Sequence, residues 1–422
     1  MAIDPATLAD GDDKNWEWAC KSAGDLLSAG LRVGDKSIPF DQAARVQKIV
    51  LHFLDLAPKI PEFDDFERQF RRSPYWLAQG TWRGLAVELC VLFIWWLSRD
   101  AAGLIGSAQR QALEKLPEIQ AALDAELKDR GLGGWIPRAI IGRWLRLLCH
   151  FGEDWLKSKA PELLPVDDDE LRHAAWWSHL GHDEMPLAQM MNELRPSYAA
   201  SIARLPANES DQDIRELLHN RLAEYIVILH VWDALPDDLL DDFCRSAPDA
   251  VRRHAMWFVG DMVSAPATEE RAKMTARGLK YWERRLAAAL QSGRPDEYRK
   301  EIGAISHWCF HGTVDETWLG EQLVKALTAG FIPNDAYDVI EWLQGIAPNH
   351  IDRTVEAMEL LLRNPRIDRW AYMTKREPIR EVLSAGLASG TSKTIERVSQ
   401  VVSFLSSIGE TSYLDLVRVR EV

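Results

Sequence analysis

Apolar positions recur at helical spacing from early in the chain. Between Phe40 and Leu56, the residues Val46, Ile49, Val50, Phe53 and Leu54 fall at alternating steps of three and one, which places them on one helix face. Asp41 is suited to cap the start of this segment and Pro58 to end it. A second strong helix is expected over roughly 75–99, apolar nearly all round in its latter half, the pattern of a helix covered on several sides. Further helices are expected over about 108–128, 136–159, 169–180, 196–205 and 212–233. No alternating strand pattern interrupts them, so the chain reads as all-α.

From about residue 236 the pattern becomes more regular. Helical pairs begin near Pro248, Arg294, Asp335 and Lys375, at intervals of 46, 41 and 40 residues, in the range of two-helix HEAT or armadillo repeats. Turn residues punctuate them, as at Ser264-Ala265-Pro266, Ser292-Gly293-Arg294-Pro295, His311-Gly312, Asn349 and Ser389-Gly390. The expectation is an α-solenoid of HEAT/armadillo-like pairs, with an irregular multi-helix bundle as the alternative. An irregular helical region over 1–235 would continue into HEAT-like repeats over 236–422.

Composition sharpens this picture in three places. Eighteen tryptophans, spread from Trp16 to Trp370, suggest a core tiled by aromatic rings rather than one aromatic pocket. A formal net charge of −14 opposes attraction to nucleic acid, and the basic cluster Arg68, Arg71, Arg72 reads as a solvated helix end. The five cysteines are far apart with no CxxC pair, as for free thiols of a reducing compartment. The acidic N-terminus lacks an apolar signal region. The most apolar run, Leu89 to Leu97, is too short against the roughly 20 residues of a membrane-spanning helix. A cytoplasmic protein that engages neither membrane nor nucleic acid is therefore expected.

Candidate chemistry is sparse. Gly30 to Ser37 and Gly390 to Thr394 lack the adjacent Gly-Lys of a phosphate-cradling loop, and GxSxG and HExxH are absent. Asp237, Asp238 and Asp241 form DDxxD, the spacing by which isoprenoid synthases hold magnesium against diphosphate. The companion motif fails, because Asn334-Asp335-Ala336-Tyr337-Asp338 is followed by Trp342 where an acid is needed. Pro236 before the acids supports a plainer reading, carboxylates in the first turn of a helix.

His173, His179, His182, Asp183 and Glu184 supply metal-ligand types without a recognisable spacing. His307, Cys309 and His311 read as a helix C-terminus, and Asp167 to Glu170 as a helix start. No cofactor is expected.

Several segments resemble the C-terminal helical region of bacterial signal-transducing NTPases of the STAND class and related antiphage defence proteins. They are Trp82-Arg83-Gly84-Leu85-Ala86-Val87-Glu88, Pro196 to Ile202, Tyr281-Trp282-Glu283-Arg284-Arg285-Leu286, Ile305 to Phe310 and Trp318 to Leu323. The resemblance implies a sensor or scaffold that binds a protein partner and acts with an effector or NTPase domain or subunit. Neither a nucleotide-binding core nor an effector lies within these 422 residues. The expectation is a protein-binding helical-repeat module; the alternative is an all-α, metal-dependent enzyme of isoprenoid-synthase type using Asp237, Asp238 and Asp241.

Overall fold

The computed structural model describes residues 14–32, 37–59, 70, 73–100, 113–182, 185–205, 212–263, 268–310 and 314–418. Among these the chain is all-α, with no strand. It divides into two compact units: Met1–Arg204 with Glu209–Arg221, and Leu205–Asn208 with Leu222–Val422. No helix among the described residues is long and apolar enough to cross a membrane.

The first unit contains α1 (Lys14–Leu31), α2 (Ala43–Leu56), α3 (Pro74–Gln79), α4 (Trp82–Asp100), α5 (Pro117–Lys128) and α6 (Trp135–Arg143). These are followed by α7 (Leu145–Leu163), α8 (Asp169–His182) and α9 (Met191–Arg204). α4 is the hub, in contact with α1, α2, α3, α5, α6 and α7. Its encirclement explains a sequence that is apolar all round: Leu89 to Ile94 are buried without exception. Burial pushes the Cys90 thiol within that run up to about 12.

Where the sequence suggests one helix over 75–99, the chain breaks at Gly80-Thr81. The Thr81 hydroxyl donates to the Ala78 carbonyl at 2.7 Å and accepts from the Gly84 amide at 2.8 Å, ending α3 and opening α4 together. Gly84 is required there, since a Cβ would lie 1.9 Å from the Ala78 oxygen. A second break falls at Trp144, within the helix expected over 136–159.

Two buried arginines close the first unit. Arg83 pairs with Glu126 of α5 and donates to the Ala57 carbonyl at 2.9 Å. Arg138 donates to the carbonyls of Leu127, Asp129, Gly134 and Glu162, so that one guanidinium gathers backbone oxygens from the ends of α5, α6 and α7. Burial pulls this guanidinium down to about 10.

Helix α10 (Gln212–Val231) leads into the second unit, with α11 (Asp237–Ser246), α12 (Asp249–Met262), α13 (Glu269–Gln291), α14 (Arg299–Gly303) and α15 (Ile305–Trp308). Then come α16 (Glu316–Thr328), α17 (Ala336–Leu362), α18 (Arg369–Thr374), α19 (Arg376–Ser389), α20 (Ser392–Ser407) and α21 (Asp415–Arg418). Packing here runs between near neighbours in sequence: α12 on α13, α14 and α15; α16 on α17; α17 on α19 and α20; α19 on α20.

Cross-links repeat along the second unit. Arg284 to Asp241, Trp318 to Glu283, Arg353 to Glu321, Lys375 to Glu341 and Arg397 to Glu356 each join residues 32 to 43 positions apart. The core of the unit carries a buried triad in which Glu301 accepts from Arg252 at 2.7 Å and from Arg285 at 2.5 Å, with both guanidinium groups over the Tyr298 ring.

The four expected pair starts, Pro248, Arg294, Asp335 and Lys375, each immediately precede a helical segment. The turns expected at 264–266 and 311–312 lie outside the described residues. Asn349 lies not in a turn between helices but beside a kink at His350 within α17, where Pro348 cannot donate to the preceding turn.

Candidate functional site

The sequence-derived candidates occupy ordinary helical positions. Asp237 and Asp238 lie in the first turn of α11 after Pro236, while Asp241 pairs with Arg284 of α13 and Asp242 with Arg245 at 2.8 Å. α11 buries Leu239, Leu240 and Phe243 on its other side. Of the histidine group, His173 rests on Trp177 with ring centres 4.5 Å apart, His179 is fully buried beside Trp176, and His182 lies near the end of α8. Asp183, Glu184, His311 and the arginines 68, 71 and 72 lie outside the described residues. Among the described residues, no three His, Cys, Asp or Glu side chains gather as metal ligands would.

The structure instead brings together side chains that the sequence leaves scattered, where α3, α4, α6 and α8 meet in the first unit. Construction starts with backbone. Ser73 caps α3 through the Trp76 amide and Pro74 occupies its first turn, setting Tyr75 inward and Trp76 outward. Gly142 lets α6 cross α8 closely, for a Cβ there would lie 2.2 Å from the Ala175 carbonyl oxygen. At the end of α6 follow Arg143, over the Tyr75 ring, and Trp144, whose indole N–H reaches Glu88.

At the centre is Glu88, on the buried helix α4 and 1% exposed. Its Oε1 accepts from the Tyr75 hydroxyl at 3.1 Å and the Trp144 indole N–H at 3.0 Å, and Oε2 takes a longer contact from Gln79 at 3.5 Å. Burial and the Glu88 carboxylate raise the Tyr75 phenol well above its ordinary range, so it remains a donor. The Arg143 guanidinium sits 5.1 Å from the centre of the Trp144 ring and 6.0 Å from that of Tyr75. His182 meets Tyr75 edge-on at 4.6 Å and Trp76 at 5.7 Å, while its Nδ1 bonds to the Ser178 carbonyl.

Over this network the Trp76 indole is 60% exposed, with Gln79, Arg143, Trp144 and His182 half-buried around it. Trp76 is thus an exposed indole resting on the rings of Tyr75 and His182. Glu88 is visible in sequence as a carboxylate bordering the most apolar run, but its partners come from positions 75, 79 and 144, and no spacing joins them.

The second unit carries its own aromatic face. On α12, Trp257 is 47% exposed and meets His307 edge-on at 4.7 Å. His307 bonds to Asp261 and His254 to Glu224, both at 2.8 Å. Neither family models nor curated proteins give a match to this chain.

Proposed function

We propose that this protein is a helical-repeat, protein-binding module, a sensor or scaffold of the bacterial defence type, and that its first unit docks a protein partner through Trp76. The observation that carries the docking reading is an exposed indole set on a hydrogen-bonded network of buried Tyr75 and Glu88 with half-buried Trp144. An anchor whose ring is held by its neighbours, as Tyr75 and His182 would hold Trp76, loses less freedom on association. The neighbour-to-neighbour packing and recurring cross-links of the second unit support a HEAT-like stack, an architecture that presents extended binding surfaces. The likeness of the Trp82–Glu88, Tyr281–Leu286 and Trp318–Leu323 segments to repeats of signal-transducing NTPases supports the assignment to defence, with an effector or NTPase acting alongside.

A photo-crosslinking amino acid at position 76, with the exposed position 132 as control, tests the docking reading in bacteria challenged with phage. The expected result is one protein adduct from position 76, absent from position 132 and competed by excess wild-type chain but not by Trp76→Ala. Adducts equal at both positions, or none at 76, would overturn it.

A further inference from the structure

Glu88 is a costly side chain for its position, compensated only by the three donors it accepts from. It sits on a helix surrounded by six others, where leucine would fill the space without the cost of burying a charge, several kcal/mol per ion before compensation. Its two oxygens serve donors that all lead outward. The Tyr75 ring supports His182 and touches Trp76, with centres 5.0 Å apart; the Trp144 ring supports Arg143; Gln79 lies on the rim itself. One buried acceptor is thus tied, through no more than two contacts, to every half-buried or exposed side chain of the face. Without that acceptor the half-buried Trp144 indole N–H would turn to water and the hydroxyl of buried Tyr75 would lose its bond.

We propose that Glu88 is a positioning residue, a buried acceptor that fixes Tyr75 and Trp144 and through them sets Trp76, Arg143 and His182 in the orientation that a partner meets. The role is hydrogen-bond acceptance rather than charge. Glutamine retains it, since its carbonyl oxygen can take the Tyr75 and Trp144 donors while its amide faces a reoriented Gln79. Leucine removes it while keeping volume and burial. This inference rests on the docking reading for its purpose, yet its measurement requires no partner, so the two fail separately.

The test compares wild type, Glu88→Gln and Glu88→Leu by nuclear magnetic resonance of the indole N–H groups and of the arginine Nε–H groups in the full chain. In Glu88→Leu the Trp144 indole N–H is expected to exchange with solvent about tenfold faster, the equivalent of one lost hydrogen bond. The heteronuclear NOE of Trp76 and Arg143 should fall, while the buried indoles of Trp282 and Trp308 stay unchanged. Glu88→Gln should restore the wild-type values. Trp144→Phe, which removes one donor and leaves Glu88 in place, gives the same readout at Arg143 if Glu88→Leu does not fold. Unchanged order at Trp76 and Arg143 in a folded Glu88→Leu chain, or at Arg143 in Trp144→Phe, would overturn the proposal. So would loosening in Glu88→Gln equal to that in Glu88→Leu.

Discussion

Gly142 and Gly345 both lie within helices, and they carry opposite expectations. A methyl group at 142 meets the Ala175 backbone at 2.2 Å and cannot be relieved by a rotamer change. Gly142→Ala should therefore destabilise the first unit by about 3 kcal/mol, the upper range of overpacking, read as a fall in the urea midpoint. Nothing lies within 4 Å of a Cβ at 345, so Gly345→Ala in α17 should stabilise by about 0.5–1 kcal/mol through helix propensity alone.

His230 supplies a pH prediction. Burial, reinforced by Arg284 and Arg277 against Asp237 and Asp233, holds it below the ordinary histidine value. The unfolded chain therefore binds the proton first as pH falls through about 6.5, and the folded state loses stability from there downward while retaining it fully above. His230→Gln should flatten this loss between pH 7 and pH 5, measured as the difference in urea midpoints. A wild-type midpoint that rises on acidification relative to His230→Gln would contradict that sign.

Helices in the two units are held by different logic. In the first unit they gather around α4, with helix breaks beside the site at Gly80-Thr81 and Trp144. Thr81 and Gly84 meet Ala78 locally, but Trp144 turns to meet Glu88, 56 positions away. Helical periodicity reports burial on one face and is blind to such bonds, so the sequence pattern runs through both breaks.

In the second unit the determinants are local and therefore legible. Asp335 accepts from the Tyr337 and Asp338 amides, and Pro248, Arg294 and Lys375 precede the other starts. The candidate site was legible only in its ingredients: tryptophans were conspicuous in number, yet Trp96, Trp135, Trp282 and Trp308 are fully buried whereas Trp76 and Trp257 are exposed, a division that periodicity does not make.

The triad of Arg252, Arg285 and Glu301 ties α12, α13 and α14 together. Glu301→Ala leaves two guanidinium groups without their buried carboxylate and should cost about 3–5 kcal/mol, measurable by denaturation. Asp249, exposed in part, also accepts from the Lys300 and Glu301 amides, so the start of α14 is held from α12 by two devices. Asp352 repeats the arrangement further along, accepting from the Thr391 amide and the Thr394 hydroxyl at the start of α20. In both cases an acid on one helix secures the start of a later one, a coupling of the type the proposed repeat stack would need.

For the chain as a whole, the proposed recognition of a protein partner runs through the face built on Glu88. Net charge of −14 disfavours nucleic acid as the target, and the aromatic composition of the face suits a protein surface. The most direct measurement is titration calorimetry of the crosslinked partner against wild type, Trp76→Ala and Trp370→Ala. Trp370 is exposed to the same degree, but lies in the other unit. Trp76→Ala should weaken affinity by at least about thirtyfold, the equivalent of an anchor of about 2 kcal/mol, while Trp370→Ala should leave it within about twofold. Equal affinities for wild type and Trp76→Ala, with both proteins folded, would contradict it.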